Sequence, residues 1–292
     1  MDVRRLFPWL LRVVWVILPF TVGPALGAAV HPHSEPVRLA AAILAWAVWS
    51  VVLVSTLVPL PVGLTALRVI SPAVAAVAIG AALTNRPSAT EATLAVLSAL
   101  AALVVAMAPA TGVLYVNGPA YPNERRYPLR IPGPLLFGPL ELAWALTVGP
   151  LTVGVLLVAA RAWIAGGIVL GAGLPVSYVL AQALHRLSHR WVVFVPAGLV
   201  LSDPLTLAEP VLFLRELVET LRPAAADSDS LDLTQRAYGL ALELVLWEKV
   251  PLVVVKPGQT GGQSGSSARL LFTPTRPGKV MAEAGARRIP VG

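Results

Sequence analysis

The chain has 292 residues, of which 57% are hydrophobic and only 13% charged, with a mean hydropathy of +0.76. That balance lies far outside the range of soluble domains and marks an integral membrane protein. Cysteine is absent, which excludes disulfides, thiolate metal sites and cysteine nucleophiles, while most of the net charge of +7 sits beside predicted membrane ends, favouring bilayer orientation over nucleic-acid binding as its role.

The first 20 residues carry the charged start and apolar run of a signal peptide, but no polar cleavage region follows, so this stretch is read as a retained first helix. Six apolar segments follow one another at about 6–30, 39–60, 62–83, 92–116, 134–159 and 162–184. Each approaches the roughly 20 residues needed to cross a hydrocarbon core. The second and third meet so closely at Pro59-Leu60-Pro61 that they form a tight hairpin. Between the fourth and fifth lies the longest break of this half, NGPAYPNERRYPLRIPG at 117–133, which belongs in water or among headgroups. Pro139, Pro150 and Pro175 are expected to kink the last two helices, because proline withholds a backbone donor.

Six crossings put both ends on one side. That side collects Arg4, Arg5, Arg125, Arg126, Arg130, Arg186 and Arg190, against Arg38, Arg86 and Arg161 on the other, so both termini are expected in the cytoplasm. Trp9, Trp163 and Trp191 fit interfacial anchoring, whereas Trp46, Trp49 and Trp144 lie deeper. Nearly all basic residues are arginine, and alanine, valine and proline are abundant, a bias that suggests a bacterial genome rich in G and C.

At 181–203, AQALHRLSHRWVVFVPAGLVLSD, the long apolar segments give way to short ones. Trp191 to Val195 and Leu199 to Ser202 flank Pro196-Ala197-Gly198 and predict a hairpin. Further short runs lie at 211–214, 217–221, 240–247, 252–255 and 269–272, with a leucine face at Leu240, Leu242, Leu244 and Leu246. The segment 209–221 also satisfies a helical spacing. An acidic loop at 223–234 and a Gly/Ser tip at 257–267 divide this region. Pro277 opens a short helix that Gly285 ends, with Val280 and Ala284 on one face. The expected organisation is a six-span α-helical bundle over 1–188, a cytoplasmic β-rich domain over 189–285 and a loose tail over 286–292.

Seven short strands followed by a helix, attached directly to membrane spans, resemble the bacterial pleckstrin-homology-like domain over about 191–285. The stretches RWVVFVPAGLVLSDPLTLAEPVLF and FTPTRPG are similar to stretches of multi-span membrane proteins of actinobacteria, a family that carries no activity to transfer. The resemblance implies binding of lipid, peptide or protein and a role in assembly. The basic ring that marks phosphoinositide binding is not evident.

Chemistry-bearing residues are sparse. His185 and His189, spaced i, i+4, would share a helical face and could hold a metal, but no third ligand accompanies them and Arg186 and Arg190 make a headgroup-end cluster the simpler reading. His31, His33 and Glu35 form a similar weak set. The sequence 258–267 lacks the lysine and following helix of a phosphate loop, and Asp227, Asp229 and Asp232 lack the glycine and distal glutamate of a calcium loop. No nucleophile motif, paired carboxylates or HExxH pattern points to an enzyme, and no cofactor is expected. Arg12, Arg68 and Glu141 each lie one to two turns inside a predicted span at similar depth, so an intramembrane ion cluster with Glu141 paired to Arg68 or Arg12 is expected, against independent snorkelling of the arginines. Ser50, Ser55, Thr56 and Thr65 read as helix-packing residues. The functional expectation is a non-enzymatic scaffold or assembly protein that touches the bilayer and a protein partner at the cytoplasmic face; a small-molecule or lipid transporter is the alternative.

Overall fold

The computed structural model describes residues 3–225, 228–255 and 262–292, which fall into two compact units. One unit contains Met1–Gly118 and Leu142–His185; the other contains Pro119–Glu141 and Arg186–Gly292.

The first unit is helical: α1 (Val3–Val16), α2 (Leu18–Val30), α3 (Glu35–Leu57), α4 (Pro61–Leu83), α5 (Ala89–Met107) and α6 (Pro109–Asn117), then α7 (Pro139–Ala159) and α8 (Trp163–Leu187). Six stretches are long and apolar enough to cross a membrane: Phe7–Val30, Glu35–Leu57, Pro61–Leu83, Ala89–Met107, Pro139–Ala159 and Trp163–Leu187. Lipid tails are as apolar as leucine, so association of such helices depends on close packing of small residues. Ala95, Ala99, Ala102 and Ala106 of α5 accordingly form a fully buried stripe, and Ala75, Ala78 and Ala81 of α4 form another. Gly63 is required at its position, since a Cβ there would stand 2.9 Å from Ser55 Cβ and 3.1 Å from the Tyr115 ring.

Prolines interrupt these helices, and each deprives the carbonyl four residues earlier of its N–H. Three such carbonyls receive a side-chain donor instead, as an apolar surrounding demands. Trp15 O, freed by Pro19 at the α1–α2 break, accepts Trp49 Nε1–H at 3.0 Å, and Trp15 Nε1 returns a bond of 2.9 Å to Trp49 O. Val105 O, freed by Pro109, accepts the Thr111 hydroxyl at 2.5 Å as well as the Ala108 amide at 3.3 Å. Leu146 O, freed by Pro150, accepts the Ser177 hydroxyl at 3.0 Å.

The second unit is built from β1 (Arg125–Pro128), β2 (Trp191–Val195), β3 (Gly198–Ser202), β4 (Val211–Leu214), β5 (Val218–Pro223), β6 (Leu231–Asp232), β7 (Leu242–Val255), β8 (Gly262–Phe272) and α9 (Pro277–Ala286). One sheet has the order β1-β2-β3-β4; the other has the order β5-β7-β8-β6. Pairing is antiparallel throughout except for the two-residue β6, which runs parallel to β8. Inward residues alternate along the strands, as a half-buried sheet requires. Val192, Phe194, Leu199, Leu201, Phe213, Leu221, Leu242, Leu244, Leu270 and Phe272 share a core with Val280 and Ala284 of α9. The β2–β3 hairpin turns at Gly198, where a Cβ would stand 2.1 Å from Phe213 O.

Several expectations change. The break at 117–133 is no separate loop: β1 within it pairs with β2, Arg125 opposite Phe194 and Pro128 opposite Trp191, so 119–141 belongs with the strands. The helical alternative for 209–221 gives way to β4, a single 3-10 turn at Arg215–Leu217 and β5. The runs at 240–247 and 252–255 are parts of one long β7, from which Leu240 is excluded and 49% exposed. Of the proposed Gly/Ser tip, residues 257–261 lie outside the described residues and 262–267 are strand. The last residues are pinned: Ile289 is buried, Leu221 N–H donates to Pro290 O at 2.9 Å, and Gly292 N–H donates to Leu221 O at 3.1 Å.

Candidate functional site

In the helical unit the ionisable and polar residues singled out from the sequence have the following partners. Arg12 donates from Nε to Thr56 O at 3.3 Å, and its guanidinium lies 5.0 Å from the centre of the Trp9 ring. Ser55 Oγ and Tyr115 OH are 3.2 Å apart, and Thr65 Oγ1 and His185 Nδ1 are 2.8 Å apart. Arg68 differs: its Nε is buried and has no hydrogen-bond partner among the described residues. One residue on, Val69 O accepts Trp144 Nε1–H at 2.8 Å.

Glu141 opens α7, and its carboxylate accepts the Gly138 amide at 2.7 Å, an arrangement that also places negative charge at the positive end of the helix dipole. Glu141 falls in the strand unit and Arg12 and Arg68 in the helical unit.

The two histidines do not share a helix. α8 ends at Leu187, so His185 is helical whereas His189 lies beyond it, its ring 5.0 Å from that of Trp191. Among the described residues, no group of three or more His, Cys, Asp or Glu side chains is placed to hold a metal ion. His31 lines an open cleft of about 430 Å³ with Gly27, Ala28, Pro32 and Arg86. Asp232 accepts the Thr234 amide at 2.7 Å as a turn residue, and Asp227 lies outside the described residues.

Two buried ionic networks in the strand unit escaped the sequence reading. Arg190, 2% exposed, makes a two-pronged ion pair with the equally buried Asp203: Nε to Oδ1 and Nη2 to Oδ2, each 2.7 Å. Its Nη1 donates to Arg130 O at 2.6 Å, and Asp203 Oδ1 also accepts the Leu205 amide at 3.1 Å. The planar fork of arginine matches a carboxylate in this way, and lysine would not. The pair ties the chain leaving α8 to the end of β3 and to the strand β1 segment. A cleft of about 190 Å³ beside it is lined by His189, Ser202, Asp203 and Glu209.

The second network surrounds Glu243, which is 1% exposed between Leu242 and Leu244 on β7. Burial pushes its carboxyl group up, but the hydroxyls of Ser230 at 2.6 Å and Ser228 at 2.7 Å and Arg222 Nε at 2.8 Å outweigh that and hold it at about 2. The acidic loop therefore lends two of its serines to this network. A weaker contact set joins α9 to the β1 segment: Tyr127 OH donates to Glu283 at 3.2 Å, and Arg287 binds Glu283 at 2.7 Å and Asn123 O at 2.9 Å. Nearby, Arg126 holds the Glu124 carboxyl below the usual range through a 2.9 Å ion pair.

No protein family, curated protein or solved structure matches this chain.

Proposed function

We propose that the chain is a membrane-anchored scaffold or assembly protein, non-enzymatic, in the cytoplasmic membrane of a bacterium, with both termini cytoplasmic. Its strand unit, of pleckstrin-homology-like character, presents a binding surface to a protein partner. The observation that carries this reading is the pairing of β1 with β2. Strands that share a sheet must lie on one side of a bilayer, so the two apolar helices between them, Pro139–Ala159 and Trp163–Leu187, form a there-and-back pair. The strand unit is thus joined to the helical unit at three points of the chain, after Gly118, after Glu141 and after His185. Such a connection suits a platform held at the membrane better than a domain on a flexible tether.

The alternative, a transporter of small molecules or lipids, draws on the breaks in the first and fourth spans and on the buried, unpartnered Nε of Arg68. Broken helices in transporters offer freed backbone groups to an ion or substrate. Here the carbonyls freed by Pro19 and Pro109 are already taken by Trp49 and Thr111, which favours the scaffold.

Crosslinking from the strand unit in native cells, followed by mass spectrometry, should recover a reproducible protein partner. Substrate-dependent flux in proteoliposomes without any partner would establish the transporter instead. Topology is checked by single cysteines at Ser88, Asn123 and Ser264 treated with an impermeant reagent in intact cells. Only Ser88→Cys should react, and labelling of Ser264→Cys would overturn the orientation.

A further inference from the structure

The loop 234–240, between β6 and β7, exposes its largest side chains instead of burying them. Tyr238 is 61% exposed and Leu240 49%. The Tyr238 ring lies edge-on to that of Phe137, 6.3 Å between centres, and Phe137 is itself 76% exposed. The backbone holds this arrangement at some cost. Gln235 and Arg236 both adopt φ 55°, a left-handed conformation uncommon for side chains of their kind, and Gly239 has φ 118°. Gly133 donates to Gln235 O at 3.3 Å and packs so tightly that a Cβ on it would stand 2.2 Å from Arg236 O. The loop is therefore fastened to the segment that leads into α7.

That segment decides what the patch faces. Phe137 lies two residues before Pro139, where the apolar helix Pro139–Ala159 begins, so its backbone is no more than about 7 Å of chain from the start of that helix. Exposed aromatic rings at that level are the usual mark of the bilayer interface. Two guanidinium groups accompany them. Arg236 is exposed, and Arg130 Nε is shielded without a hydrogen-bond partner among the described residues, 2.8 Å from where a Cβ on Gly239 would stand. Asp232 is also exposed, and its carboxylate accepts the Thr234 amide at 2.7 Å.

We propose that loop 234–240, with Phe137, docks on the headgroup layer of the leaflet that α7 enters, with Tyr238 and Leu240 at the glycerol level and Arg130 and Arg236 on lipid phosphates. The strand unit is then a lipid-surface reader by this patch as well as a platform. The inference rests on Pro139–Ala159 crossing the membrane.

The test uses the full chain, which has no cysteine, in vesicles of phosphatidylglycerol and phosphatidylcholine. Spin labels are placed singly by Tyr238→Cys, by Val153→Cys in mid-α7 and by Glu219→Cys on exposed β5, and depth is read from collision with oxygen against a water-soluble nickel chelate. Val153→Cys should report the hydrocarbon, Glu219→Cys water, and Tyr238→Cys the headgroup layer. Neutralising both arginines, Arg130→Gln with Arg236→Gln, should lower the docked-to-undocked ratio roughly 30-fold in anionic vesicles, and Arg236→Gln alone should lower it roughly fivefold. A Tyr238→Cys label as wet as Glu219→Cys while Val153→Cys is deep overturns the docking proposal alone. A label shielded from both colliders overturns it in favour of protein packing. A wet Val153→Cys label overturns the membrane-spanning reading and the proposal with it.

Discussion

Removing the indole N–H of Trp49 by Trp49→Phe keeps an aromatic ring between α1 and α3 but withdraws the donor that serves Trp15 O. Trp15 is 1% exposed, so no water replaces it. A buried carbonyl left unsatisfied costs about 1–3 kcal/mol in a soluble protein. Side-chain hydrogen bonds inside membrane proteins measure lower, about 0.6 on average and up to about 1.7 kcal/mol. The reciprocal bond from Trp15 Nε1 to Trp49 O survives the substitution, so a loss of about 1 kcal/mol is expected. The decisive feature is its dependence on Pro19, because Pro19→Ala restores a backbone N–H that can reach Trp15 O. In the Pro19→Ala background Trp49→Phe should therefore cost markedly less, giving a coupling of about 0.5–1 kcal/mol. Reversible unfolding in mixed micelles, followed by far-ultraviolet circular dichroism, measures all four corners of the cycle. Additivity within about 0.3 kcal/mol would show that the indole does not substitute for the missing amide.

In the strand unit, Asp203→Asn leaves Arg190 buried without its counter-charge and should destabilise that unit by about 3–5 kcal/mol in thermal unfolding; a loss below about 1 kcal/mol would contradict the buried pair. Glu243 is ionised in the folded state down to about 2, against an ordinary 4.5, so its contribution of about 3 kcal/mol is complete above pH 4.5 and fades as pH falls toward 2. The stability gap between the native chain and Glu243→Gln should shrink over that window, and a gap that stays constant from pH 6 to about 2 would refute the assignment.

What was legible in the sequence is what short-range chemistry controls. Six apolar stretches of near-constant length fell where helices stand, because crossing length and composition are properties of each segment alone. The hairpin at Pro196-Ala197-Gly198 and the helix carrying Val280 and Ala284 were equally local, set by turn residues and a 3.6-residue spacing. Arg12, Arg68 and Glu141 could be named, since any charge inside an apolar run stands out.

The contacts of Arg12 with Thr56 O and the Trp9 ring could not be named, and neither could the residues that hold the strand unit together. Glu243 reads as the outward member of an alternating strand; only the return of Ser228 and Ser230 over that face makes it a buried hub. Arg190 reads as a headgroup cation until the β2–β3 hairpin brings Asp203 beneath it. β1 spans four residues, too few for any periodicity, and owes its existence to β2, more than 60 positions later. Composition and periodicity determined that this chain holds six stretches long and apolar enough to cross a membrane and then changes to strands. Only the tertiary structure decided that the break between the fourth and fifth helices belongs to the strands, because a strand is completed by hydrogen bonds to a distant neighbour and leaves no signal of its own.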